Sequence, residues 1–68
     1  SGLAGIAYWI NQNFRLKGDD QIDKHDPVVQ TMKSWIDAEY EDGRQTVMTD
    51  KELDAMLERL APGRFRKV

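Results

Sequence analysis

Cysteine is absent from this chain of 68 residues, and histidine occurs once, at His25. Without thiols there is neither a disulfide framework nor a thiolate metal site to staple the fold. A single imidazole excludes a zinc centre of the multi-histidine kind. Positive charge is not in surplus either. Ten Lys and Arg against twelve Asp and Glu leave a net charge of −2, which argues against a dedicated nucleic-acid binder, whose affinity rests on neutralising phosphates. No apolar run is long enough to span a bilayer. The longest uncharged stretch, residues 1–14, falls short of a membrane span and shows no basic segment before it, so it is not expected to be a secretory signal. The chain is therefore expected to be soluble and cytoplasmic, with neither membrane nor nucleic acid among its partners.

Size sets a further limit. A chain of 7.9 kDa leaves no room for a barrel or a doubly wound sheet with a complete active site. It buries roughly 60% of its unfolded surface, near the lower limit for folding alone. The 40% hydrophobic and 32% charged composition still fits a packed domain rather than a disordered tail. The chain opens on Ser1-Gly2 with no initiator Met, which reads as an expression scar or as a cut through a longer protein.

Three segments carry helical period. Leu3, Ile6, Ala7, Ile10 and Phe14 form one stripe of a first helix over 3–16, with Lys17-Gly18 marking its end. Asp26-Pro27 opens a second over 27–42 as N-cap and first helical residue. Its stripe is Val28, Val29, Met32, Trp35, Ile36 and Tyr40, and Gly43 stops it. Glu39 interrupts that stripe, either as a rim residue or as an anchor for a cation such as Arg44. Thr49-Asp50-Lys51-Glu52 matches a capping box for a third helix over 50–61, with Met48 and Leu53 as its hydrophobic staple. Ala61-Pro62-Gly63 ends it. Nothing alternates with period two for long enough to build a sheet. The expected fold is a small all-α domain of three helices over residues 1–62, with Ile10, Met32, Trp35, Ile36, Leu53 and Leu57 mutually buried. A basic tail or linker follows over 63–68.

Few constellations point to chemistry. Asp19, Asp20, Asp23 and Asp26 lack the spacing and the glycine of a calcium loop, and read as a solvated loop with a capping Asp. His25 has Asp23 near it to orient the ring but no nucleophile, which leaves acid–base catalysis without a site. Arg64, Phe65, Arg66 and Lys67 interleave cations with an aromatic, a pattern that binds phosphates or single strands but is more often a solvated chain end. Tyr8 is more informative. It projects opposite the apolar stripe, on the side of Gly5 and Gln12, and gives the first helix a second face suited to another surface.

The string Ser1-Gly2-Leu3-Ala4-Gly5-Ile6-Ala7-Tyr8 resembles the Ser-Gly-x-Gly-Gly-Val-Ala-Tyr segment that follows the catalytic barrel in the α-isopropylmalate synthase family, relatives of which make homocitrate and citramalate. Val28-Val29-Gln30 is similar to that family's Val-Ile-Gln. Thr49 to Leu53 and Ala61-Pro62 are similar to its Ser-Pro-Lys-Glu and terminal Ala-Pro. Ala4 departs from the family's glycine, and the acidic stretch 19–26 replaces a basic one in the leucine-pathway enzymes.

The resemblance implies a post-barrel helical domain of an acyltransferase of amino-acid biosynthesis, 2-isopropylmalate or homocitrate synthase-like, that condenses acetyl-CoA with a 2-oxo acid. It implies a homodimer in which Tyr8, with Gly5 and Gln12 beside it, lies near the partner subunit's substrate pocket. The divalent metal would sit in the barrel, so this chain is expected to hold no catalytic residue, metal or cofactor and to have no activity alone. A free-standing three-helix interaction module is the alternative. A helix-turn-helix DNA reader is the weaker form of it, because the connection between the second and third helices is long and the third carries only Lys51 and Arg59 as cations.

Overall fold

The computed structural model describes residues 2–66. Ser1, which begins the motif string, and Lys67 and Val68, which end the basic tail, lie outside the described residues. Three helices form: α1 (Leu3–Asn13), α2 (Pro27–Glu41) and α3 (Asp50–Leu60), with a short 3-10 turn at Gly18–Asp20 between the first two. The described residues contain no strand. The fold is the expected small all-α domain, its helices ending one to three residues early.

Each boundary has a local cause. Asp26 caps α2 by accepting a hydrogen bond from the Val28 N–H, with Pro27 at the first helical position. At α3 the capping box closes in both directions: the Thr49 side chain accepts from the Glu52 N–H, and the Glu52 carboxylate accepts from the Thr49 N–H. The first helix ends at Asn13, three residues short of the expected end at 16. Arg15 takes a left-handed conformation, with φ 53°. The Leu16 N–H donates to the Asn11 carbonyl and the Arg15 N–H to the Gln12 carbonyl, which is the Schellman pattern. The same pattern ends α2, where Gly43 has φ 99° and the Arg44 N–H donates to the Glu39 carbonyl. A cation thus stands in the first helix where glycine stands in the second, and that substitution hid the stop from the sequence.

The core is Ala7, Ile10, Phe14, Val29, Met32 and Leu57. Ile10, Met32 and Leu57 are buried as expected, whereas Trp35, Ile36 and Leu53 are only half-buried. The reason is dimensional: a body of 37 × 20 × 17 Å seals only the line where α2 meets its two neighbours. Trp35 lies outside that line and is covered by the Arg59 guanidinium, 5.5 Å from the ring centroid. Val29 and Phe14 fill the centre instead. Residues from the connections complete the packing, with Leu16, Ile22 and Phe65 against the core.

α1 and α3 are joined by polar side chains one turn apart. The Trp9 indole N–H donates to Asp50 at 3.1 Å, and the Asn13 amide donates to Asp54 at 2.8 Å. The α2–α3 connection is organised by Arg44. Its guanidinium donates to both carboxylate oxygens of Glu52, at 2.7 and 2.6 Å. It also donates to Glu39 at 3.2 Å and to the carbonyls of Thr46 and Val47. Glu39 therefore does anchor Arg44, as one of two carboxylates. These Arg44 hydrogen bonds, with those from Thr49, draw the Glu52 pKa down to about 2.

Two outcomes follow from this architecture. A depressed carboxylate pKa contributes stability that is complete above its unfolded value and disappears as pH falls through the folded one. Thermal unfolding midpoints are therefore expected to drop between about pH 4.5 and pH 2, with a shallower drop in Glu52→Gln. Separately, Arg15→Gly relieves the left-handed strain, and urea unfolding is expected to show a gain of about 0.5–1 kcal/mol.

Candidate functional site

The side of α1 turned away from the core carries Gly5, Tyr8 and Gln12, all exposed, and Tyr8 keeps 66% of its surface. A helix places positions five, eight and twelve within one narrow sector, so the three expected site residues share a solvent-facing ridge. Nothing inside the chain explains Gly5. A Cβ built there would meet no atom within 4 Å, yet glycine within a helix costs about 1 kcal/mol relative to alanine. Its missing side chain serves no packing of this chain's own.

The two flanks of the ridge differ. On one side Gly5, Ile6, Trp9, Ile36 and Met48 line an open apolar groove, whose far end carries Tyr40 and Val47, 41% and 81% exposed. The staple residues Met48 and Leu53 both border this groove. On the other side Tyr8 and Gln12 border a polar depression floored by Ala4 and Ala7 and closed by Gln21, Asp23 and Lys24.

That loop is held by one side chain. The Asn11 amide donates to the Ile22 carbonyl at 3.0 Å, and its oxygen accepts from the Ile22 N–H at 2.9 Å. One asparagine thereby satisfies both backbone groups of Ile22, as a neighbouring strand would. The sequence reading gave Asn11 no role, because an asparagine within a helix has no pattern that announces a partner eleven residues away.

The remaining candidates resolve into structure. The Asp23 carboxylate accepts from the backbone N–H of His25 at 2.8 Å, so it shapes the turn rather than orienting the imidazole. Asp26 is committed twice, to the α2 N-terminus and to the Arg64 guanidinium at 3.2 and 2.8 Å. Arg64 and, against the cost of burial, the Val28 N–H hold its carboxyl below the ordinary aspartate range. Arg64, expected to be solvated, instead bridges back to α2, while Phe65 packs on Phe14 with ring centroids 5.4 Å apart. Among the described residues no group of three or more metal-ligating side chains is placed to hold an ion. Among the described residues, too, no helix is long and apolar enough to cross a membrane. With Arg59 over Trp35, α3 keeps Lys51 alone as a cation without an ion-pair or ring partner.

Removing the Asn11 side chain leaves two half-buried backbone groups of Ile22 to find water. Asn11→Ala is expected to cost about 1–3 kcal/mol and to accelerate amide exchange at Ile22 ahead of exchange in α2.

No family model matches the chain, and no solved structure matches it. Two curated relatives do. One is the citrate (Re)-synthase of Syntrophus aciditrophicus, 46% identical over 65 residues, which is 96% of this chain and 10% of the relative. Another is the citrate (Re)-synthase of Clostridium kluyveri, 39% identical over 62 residues, 91% of this chain and 14% of the relative. Neither is described as an isopropylmalate or homocitrate synthase. The chain spans between a tenth and a seventh of the length of these relatives. It is homologous, over nearly its whole length, to one segment of the citrate (Re)-synthases, enzymes related to the isopropylmalate and homocitrate synthases.

Proposed function

We propose that this chain is a helical accessory domain, placed after the catalytic barrel, of an enzyme that forms citrate from acetyl-CoA and a 2-oxo acid. The observation that carries the reading is the similarity to two citrate (Re)-synthases across more than nine-tenths of the chain. Citrate less the two-carbon acetyl unit is oxaloacetate, so the 2-oxo acid follows from the product. The enolate of the thioester attacks the ketone carbon of oxaloacetate. A carbon–carbon bond forms, the ketone oxygen becomes the hydroxyl, and water then cleaves the thioester to release CoA. The isopropylmalate and homocitrate reactions share this chemistry with other oxo acids.

Within that enzyme the chain's part is to cover and complete the site rather than to perform the bond changes. Among the described residues no metal ligand set assembles, and we assign the divalent metal that the family resemblance implies to the barrel. Two surfaces support the accessory role. The ridge of Gly5, Tyr8 and Gln12 offers a phenol and an amide beside a position with no side chain, which lets an external backbone approach closely. The apolar groove with exposed Tyr40 and Val47 offers area to a barrel or to a second subunit. In the homodimer we propose, Tyr8, Gly5 and Gln12 lie near the partner subunit's substrate pocket, and the Tyr8 hydroxyl donates a hydrogen bond to substrate or to a neighbouring charged group.

Steady-state kinetics of the full-length enzyme test this. Tyr8→Phe is expected to lower turnover about ten-fold, the worth of one hydrogen bond to a charged group. The 68-residue chain carrying the same change should keep its unfolding free energy within about 1 kcal/mol, because the hydroxyl faces solvent. Unchanged turnover, with and without citrate as end product, would refute the assignment.

A further inference from the structure

The apolar groove is built by two helices. α1 lines it with Gly5, Ile6 and Trp9, and α2 with Met32, Ile36 and Tyr40. The four-residue steps from Gly5 to Trp9 and from Met32 through Ile36 to Tyr40 are ridges of the kind that a further helix packs between. From Met32 to Tyr40 the α2 ridge runs for roughly 12 Å, room for about two helical turns. An extended segment laid there would find no ladder partner, because the backbone groups of α1 and α2 are spent within their own helices. A helix satisfies its own backbone and needs only apolar area. At the far end of the groove Val47 is 81% exposed, yet its backbone is held. The Arg44 guanidinium donates to the carbonyls of Thr46 and Val47 at 2.9 and 3.3 Å. An apolar side chain fixed in solvent in this way loses little freedom when it is covered.

Charge narrows the choice of occupant. Residues 1–14 carry no charge, whereas residues 37–54, from the second half of α2 to the start of α3, hold seven carboxylates against Arg44 and Lys51. Arg44 is already paired with Glu39 and Glu52. Glu41, Asp42 and Asp50 have no ion-pair partner among the described residues, and Asp50 accepts the indole N–H of the groove residue Trp9. No basic residue stands in the last turn of α2 to offset the negative end of its dipole. A second copy of this chain would set the same acidic border against itself in a two-fold contact.

We propose that the groove receives a fourth helix, with an apolar stripe flanked by Lys and Arg, contributed by a part of the larger enzyme outside this domain. The source of the helix rests on the proposed function, since the chain spans only a tenth to a seventh of its relatives' length. The chemistry of the groove belongs to this chain. Seated there, the helix covers Ile6, Trp9 and Ile36, which the three helices of this chain leave half-buried.

Two measurements test the proposal. In the full-length enzyme Val47 is replaced by photoreactive p-benzoylphenylalanine, and cross-linked peptides are identified by mass spectrometry. The expected partner is a segment of the enzyme outside this domain with helical apolar period and Lys or Arg beside it. A cross-link to the groove of a second copy, to a segment without that pattern, or to none would overturn the proposal. In the 68-residue chain, NMR follows titration with a synthetic helical peptide whose leucine stripe is flanked by Lys. Saturable shifts are expected at Ile6, Trp9 and Val47, with Gln12 and Lys24 across the ridge unmoved. Exchanging the peptide's Lys for Glu should weaken binding about ten-fold, and Val47→Ser should weaken it about five-fold with core shifts unchanged. Equal affinity for the Glu peptide, or for one whose leucines are scrambled out of period, would also overturn it.

Citrate formation by the full-length enzyme is read separately. Activity without groove binding removes the fourth helix and leaves the proposed function. Groove binding without citrate formation removes the proposed function and leaves the groove.

Discussion

Six side chains make up the buried apolar interior of the described residues, and this shortage governs the rest of the structure. A core of that size sets the line along which α2 meets α1 and α3 but leaves every connection to be fixed by other means. Polar groups fix them. Asn11 binds Ile22 in the first connection, Arg44 binds Glu52 and Glu39 in the second, and Arg64 reaches back to Asp26 after α3. Trp9 and Asn13 tie α1 to α3 directly. Each contact satisfies a charge or a backbone group. Those of Asn11, Asn13 and Arg44 with Glu52 are half-buried, whereas Trp9–Asp50, Arg44–Glu39 and Arg64–Asp26 are exposed, and exposed ion pairs contribute less.

The same economy divides the surface. With its apolar stripe committed to α2, α1 has a free side, and Gly5, Tyr8 and Gln12 occupy it. A groove of apolar side chains opens on one flank, and a polar depression held in place by Asn11 on the other. In the enzyme we propose, the groove supplies non-directional contact area, which tolerates variation in detail. The depression is bounded by a loop that Asn11 fixes. Asn11 thus connects the stability of the fold to the shape of the face beside it.

Similarity to the citrate (Re)-synthases clarifies why a chain with so few chemical groups has a defined surface. Among the described residues no group of metal-ligating side chains is placed to hold an ion, and most of the ordered polar groups tie one element to another. That arrangement is compatible with the accessory role we propose, in which the exposed Tyr8 faces another part of the enzyme.

The sequence by itself determined the three helices, their caps and the direction in which Tyr8 projects, because period, N-cap chemistry and helical geometry are local properties read over a few residues. Thr49 and Glu52 close the capping box that their spacing announces, and Asp26-Pro27 starts α2 where it must. The eight residues ending at Tyr8 resemble a family to which the matched citrate (Re)-synthases are related, although those enzymes themselves were not the ones expected. Only the tertiary structure decided which stripe residues became core, since Trp35 and Val29 belong to the same stripe and are separated by where the neighbouring helices happen to lie. It alone showed that Arg15 stops α1, that Arg44 takes Glu52 together with Glu39, and that Asn11 holds Ile22. These outcomes depend on left-handed backbone conformation and on partners brought together by the path of the connections, which no local periodicity encodes.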